Sequence, residues 1–159
     1  MVTCVSVAGL PPVQGKVLCY GIIGVRGDTK EITVKSPETL SGFSRRSDRE
    51  PILLVPTNRI PAKIGVRFGM KFEISDVPEP DGLAQVTVIV RYPPITKPDG
   101  TVSVGFKRSE EAPVKKGKVT GWWWYSFDHD YELVTGDWEI EIQFRGQKIC
   151  SQTFKVFKE

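Results

Sequence analysis

The chain has 159 residues, of which only one is histidine and three are cysteine. No apolar run approaches the ~20 residues of a membrane span. Each shortage excludes something. A single imidazole, His129, is too little for an ordinary structural or catalytic zinc centre, which draws on several His or Cys. The cysteines Cys4, Cys19 and Cys150 are odd in number and far apart, so they do not frame a small disulfide scaffold. One bridge, Cys19 to Cys150, stays open. The plainer reading is a buried free thiol, because free Cys packs as a small core residue. Helical periodicity is also missing, and with it the amphipathic helix of a membrane-surface binder. A net charge of +3 is too small to imply a nucleic-acid partner. Met1 to Val13 holds no Lys or Arg and is interrupted by Pro11-Pro12, so it is not read as a signal peptide. The expected location is cytoplasmic if the chain is complete, and periplasmic or secreted if a signal has been removed.

Turn formers are abundant instead: 12 prolines and 15 glycines are spread along the chain. Such frequent punctuation suits short strands and many turns. The clearest strand runs from Ile64 to Ile74. Ile64, Val66, Phe68, Met70, Phe72 and Ile74 fall on one face, and Gly65, Arg67, Gly69, Lys71 and Glu73 on the other. A second alternation places Trp138, Ile140, Ile142 and Phe144 inward. A tight turn at Gly146-Gln147 leads to a last strand with Cys150, Phe154 and Val156 inward, which completes a C-terminal hairpin. Val86, Val88, Val90 and Tyr92 mark another strand, ended by Pro93-Pro94. Val102, Val104 and Phe106 mark the next, after the turn Pro98-Asp99-Gly100. Val17 to Val25, Glu31 to Lys35, Ile52 to Val55 and Gly121 to Phe127 are further strands. Ser36 to Pro51 and Lys107 to Lys118 are polar and read as exposed loops. The expectation is one all-β domain over residues 1–159, with about eight or nine mostly antiparallel strands in a sandwich or barrel. Its core spans about 16–158, and residues 1–15 are an N-terminal extension or an extra edge strand.

Three phrases carry a resemblance. They are Ile60-Pro61-Ala62-Lys63-Ile64-Gly65 leading into Phe68-Gly69, then Arg91-Tyr92-Pro93-Pro94 before Pro98-Asp99-Gly100, and Glu132 to Trp138 continuing through Gly146-Gln147-Lys148-Ile149 to Thr153-Phe154-Lys155-Val156. Over roughly Tyr20 to Phe157 the chain resembles a bacterial family, domain of unknown function 3859. The resemblance implies an immunoglobulin-like sandwich and no activity. The family often begins with an export signal, which this chain does not show. The run Trp122-Trp123-Trp124 is also richer in aromatics than the family pattern.

That run is the strongest local feature. On a strand, Trp122, Trp124 and Ser126 face one way, and Trp123, Tyr125 and Phe127 the other. Both faces are aromatic, and the core needs only one. The second is either packed under a loop or in a dimer, or is a contact platform. Trp122, Trp123, Trp124 and Tyr125 are therefore candidate partner contacts. So are Arg45 and Arg46, a small basic knot with Arg49 that Asp48 and Glu50 dilute. Asp128, His129, Asp130 and Glu132 form the one cluster with metal-ligand chemistry. They lack the spacing and glycine of a calcium loop and read as a solvated turn. No Ser sits in a nucleophile elbow, and no phosphate-binding glycine loop is present. No catalytic residue, cofactor or metal is expected. The expected role is a non-catalytic binding or structural module that acts through protein or glycan contacts. A self-associating domain with an aromatic dimer interface, and a small hydrolase or metal-binding domain, are the alternatives.

Overall fold

The computed structural model describes residues 12–159, so Cys4 and most of the expected N-terminal extension lie outside the described residues. In chain order the strands are β1 (Gln14–Gly24), β2 (Glu31–Lys35), β3 (Phe43–Ser47), β4 (Ile52–Val55), β5 (Arg59–Pro61), β6 (Arg67–Ser75), β7 (Asp81–Thr96), β8 (Val102–Lys115), β9 (Val119–Ser126), β10 (Gly136–Phe144) and β11 (Gln147–Phe157). One short 3-10 turn, Asp130–Glu132, separates β9 from β10. Among the described residues no helix is long and apolar enough to cross a membrane.

The strands make an all-β sandwich. A front sheet runs in the order β4-β1-β6-β9, and a back sheet in the order β5-β11-β10-β7-β8. Every pairing is antiparallel except β5 with β11. The reason lies in the period of two. Phe68, Met70, Phe72 and Ile74 of β6 meet Val86, Val88 and Val90 of β7 and Trp138, Ile140, Ile142 and Phe144 of β10 in one buried core. Trp138 is at its centre. It is fully buried, and its ring lies 4.8 Å from Tyr92, 5.1 Å from Tyr125 and 5.4 Å from Phe127. Its indole N–H donates to the Val134 carbonyl at 3.0 Å, which satisfies the one polar atom it carries inward. The C-terminal hairpin closes through Arg145 and Gly146, whose φ of 52° and 77° are those of a two-residue type I′ turn. The turn thus falls one residue earlier than Gly146-Gln147, and Gln147 already pairs with Phe144.

Four further expectations change. β6 begins at Arg67, because a turn at Ile64-Gly65 precedes it and leaves Ile64 exposed. Pro93-Pro94 does not end β7. The strand runs on to Thr96, with the register to β8 broken between Arg91 and Ile95. Pairing to β10 has already stopped at Arg91, so the prolines sit on an edge where their missing N–H costs no ladder bond. Lys107 to Lys115 is not a loop but the continuation of β8, in a long ribbon with β7. Ser36 to Pro51 contains β3, which pairs with β2 as a separate hairpin. Leu40, in the connection of that hairpin, is the one residue of Ser36 to Pro51 that joins the apolar core.

Candidate functional site

Strand β9 is the edge of the front sheet. Its period turns Trp123, Tyr125 and Phe127 into the core, where Trp123 lies 6.0 Å from Phe106 and Tyr125 lies 6.0 Å from Phe68. Trp122, Trp124 and Ser126 face outward and are half-buried. The four aromatics named as contacts therefore divide. Trp123 and Tyr125 are core residues, and Trp122 and Trp124 form the outer face. Gly69 on β6 is paired with Trp124, and a Cβ there would stand 2.6 Å from the Cβ of Trp124 and 2.2 Å from the Trp123 carbonyl oxygen. Only glycine lets the two strands approach this closely.

The β2–β3 hairpin lies across this outer face and is pinned by ion pairs. Arg67 of β6 donates to both carboxylate oxygens of Glu31 on β2, at 2.5 and 3.2 Å. The Arg67 hydrogen bond holds the Glu31 carboxyl below the usual carboxylate range, against a smaller opposing effect of burial. On β3, Arg45 donates to the Ser126 hydroxyl at 3.0 Å and stands 2.9 Å from an Asp128 carboxylate oxygen. Apolar packing contributes little to the hairpin strands, since Ile32 and Phe43 are both more than half exposed. Between the hairpin, β9 and the edge strand β8 is a groove of about 1030 Å³. Trp122, Trp123, Trp124 and Tyr125 all line it, Trp123 and Tyr125 with the margin of their buried rings, together with Arg45, Arg46, Asp128, His129 and Glu132, so two sequence features some 80 residues apart meet at one place. Trp122 carries a buried indole N–H with no hydrogen-bond partner, which costs on the order of 1–3 kcal/mol.

The acidic cluster is not a uniformly solvated turn. Asp128, His129 and Asp130 are exposed, but Glu132 is 1 % exposed. The 3-10 turn replaces the strand alternation and points the Glu132 carboxylate inward. That carboxylate accepts the Tyr125 hydroxyl at 2.5 Å and the backbone N–H groups of Asp128 and His129 at 2.8 and 2.7 Å. Burial, and secondarily the Glu132 charge, pushes the Tyr125 phenol well above its ordinary pKa, so it stays a proton donor. The His129 ring stacks on Tyr131 at 5.3 Å. Among the described residues no three His, Cys, Asp or Glu side chains stand close enough to hold a metal ion. Cys19 and Cys150 are free thiols, and neither lines the groove. Burial pushes the Cys150 thiol up to about 11.

Sequence reasoning missed Arg108, Ser109, Glu110 and Glu111 as groove residues, because Lys107 to Lys118 read as a loop. A signal was present. Ala112 and Val114 are in phase with Phe106 and continue its alternation, with Arg108 and Glu110 at the intervening inward positions.

An immunoglobulin-like protein from Pseudomonas aeruginosa has a similar structure, with a TM-score of 0.62 at 22 % identity over 94 % of this chain and 99 % of that one. That likeness shows the fold. Parts of a Pseudomonas fluorescens alkylpurine DNA glycosylase and of a Listeria innocua β-glucosidase superpose only loosely, with TM-scores of 0.44 and 0.42 at 10 % and 11 % identity. They cover 62 % and 81 % of this chain, but 27 % and 16 % of theirs, and say nothing of its function. No curated protein matches the chain. The long alternating strand, the tryptophan-centred core and the closing hairpin fall within residues 15–156, which match the family model, and the chain belongs to the family Domain of unknown function (DUF3859).

Proposed function

We propose that the domain is a non-catalytic binding module, and that its ligand, a segment of protein or glycan, seats in the groove between the β2–β3 hairpin and β9. The observation that carries this reading is the second aromatic face. Trp122 and Trp124 are not needed for the core, yet they line a groove together with Arg45 and Arg46. Half-buried aromatics beside arginines are the composition of contact surfaces. The unpartnered indole N–H of Trp122 adds a donor that an occupant's oxygen can satisfy once the ring turns. The one groove imidazole, His129, is stacked on Tyr131 beside a carboxylate already engaged by three donors, so a binding role suits it better than a nucleophile's base.

Intrinsic tryptophan fluorescence tests the reading directly. A panel of glycans and synthetic peptides should include members that shift or quench emission in the intact domain. Trp122→Ala and Arg46→Ala should lose that response while keeping the fold by circular dichroism. No response to any member of the panel would sink the proposal. Light scattering on the same samples separates a monomeric binder from the self-associating alternative, in which the mass would be that of a dimer at all working concentrations.

A further inference from the structure

The geometry points to a specific occupant: an extended peptide segment of about five residues that adds as a strand to the free edge of β9, between β3 and β8. This rests on the groove being a binding site and names the class of ligand. Three strands build the walls of the groove, with Thr39–Ser41 of the β2–β3 connection closing part of it, and each of the three is paired on one side only: β9 ends the front sheet, β8 ends the back sheet, and β3 belongs to a two-stranded hairpin. They line it with consecutive residues: Phe43–Ser47 of β3, Arg108–Glu111 of β8 and Trp122–Ser126 of β9. A strand that shows a face lends alternate residues, whereas one that shows its edge lends consecutive ones. The groove is therefore bounded by strand edges.

The register says which polar groups are on offer. The Phe127 N–H donates to the Val66 carbonyl, toward β6. In an antiparallel ladder alternate residues bond to the same neighbour, so Tyr125 and Trp123 also turn to β6. The backbone groups of Trp122, Trp124 and Ser126 then point away from β6 along the groove. Five residues of strand span about 17 Å, which sets the length of the segment. Such an edge rewards a backbone of the same repeat, which a peptide has and a sugar lacks.

Charge fixes its sides. Among the described residues Arg46, on the β3 wall, makes no ion pair, and on the β8 wall the inward Glu110 pairs only with Arg108 of its own strand. A strand added to β9 sends alternate side chains toward β3 and toward β8. The complementary segment carries an acidic side chain on the first side and a basic one on the second. Apolar or aromatic residues between them cover Trp122 and Trp124.

A linear peptide display library selected on the intact protein supplies the probe, and the enriched sequence is synthesised plain and with alternate amides N-methylated in either phase. The expected result is enrichment of alternating sequences with the two charges on opposite sides. Methylation in the phase that faces β9 should weaken binding about tenfold or more, and in the other phase much less. Amide exchange should slow at Trp122, Trp124 and Ser126. Equal tolerance of both phases, or no slowing along β9, overturns the inference. So does a failure to enrich any peptide. If glycans still shift the tryptophan emission in that case, the groove reading survives without the peptide; if nothing does, both fail.

Discussion

Replacing Glu132 exposes how the groove's floor is held. The carboxylate is buried and accepts three hydrogen bonds, from the Tyr125 hydroxyl and from the N–H groups of Asp128 and His129. Glu132→Ala leaves the phenol without an acceptor in the core and the two amides without one at its margin. An unsatisfied buried donor costs roughly 1–3 kcal/mol, and the part-buried amides sit at the low end because water reaches them. The sum is about 3–5 kcal/mol. Glu132→Gln keeps the volume and one acceptor oxygen, but its NH₂ then opposes donors, so about 1–3 kcal/mol is lost. Urea unfolding followed by tryptophan fluorescence reads both values from the midpoint at constant slope. For a chain of this size each kcal/mol lowers Tm by roughly 2–4 °C, so the alanine variant should melt well below the glutamine variant. A Glu132→Ala variant within about 0.5 kcal/mol of the parent, or two variants of equal stability, would refute this role of the Glu132 carboxylate.

Other perturbations read other parts of the molecule. Gly69→Ala places a Cβ against the backbone of Trp123 and Trp124, and forcing β6 and β9 apart should cost about 1–3 kcal/mol, measured by the same unfolding titration. Glu31 has a lowered pKa, so the stability it gives the β2–β3 hairpin is present above its unfolded value near 4.5 and is lost as pH falls through the lower folded value. Protection factors of Ile32 to Lys35, exchange rates taken relative to the unstructured chain at the same pH, should therefore fall below about pH 4 while those of the β10–β11 hairpin hold, and Arg67→Met should lower them already at pH 7. The Cys150 thiol, raised to about 11 by burial, should alkylate far more slowly at pH 8 than a free cysteine of ordinary pKa near 9.

Much of the fold is legible from residue order alone. The alternations at Phe68 to Ile74 and Trp138 to Phe144 determine buried strands, because a period of two leaves one face apolar whatever else the chain does. Gly146 and its neighbours determine the closing hairpin for a similarly local reason. The division of the Trp122–Phe127 strand into two faces is local too. Which of those faces is core is a tertiary matter, settled by β6 and β10 packing against Tyr125 and Phe127. The hairpin strand β3 was hidden because Phe43–Ser47 is held in place by Arg45 and by its pairing with β2, not by an apolar face of its own. The inward turn of Glu132 depends on a phenol seven residues away. Arg45 and Trp124 share a groove only because a hairpin crosses the outer face of the front sheet. Local periodicity fixes what a strand can bury, but meetings between distant polar groups carry no period and are decided only when the chain has folded.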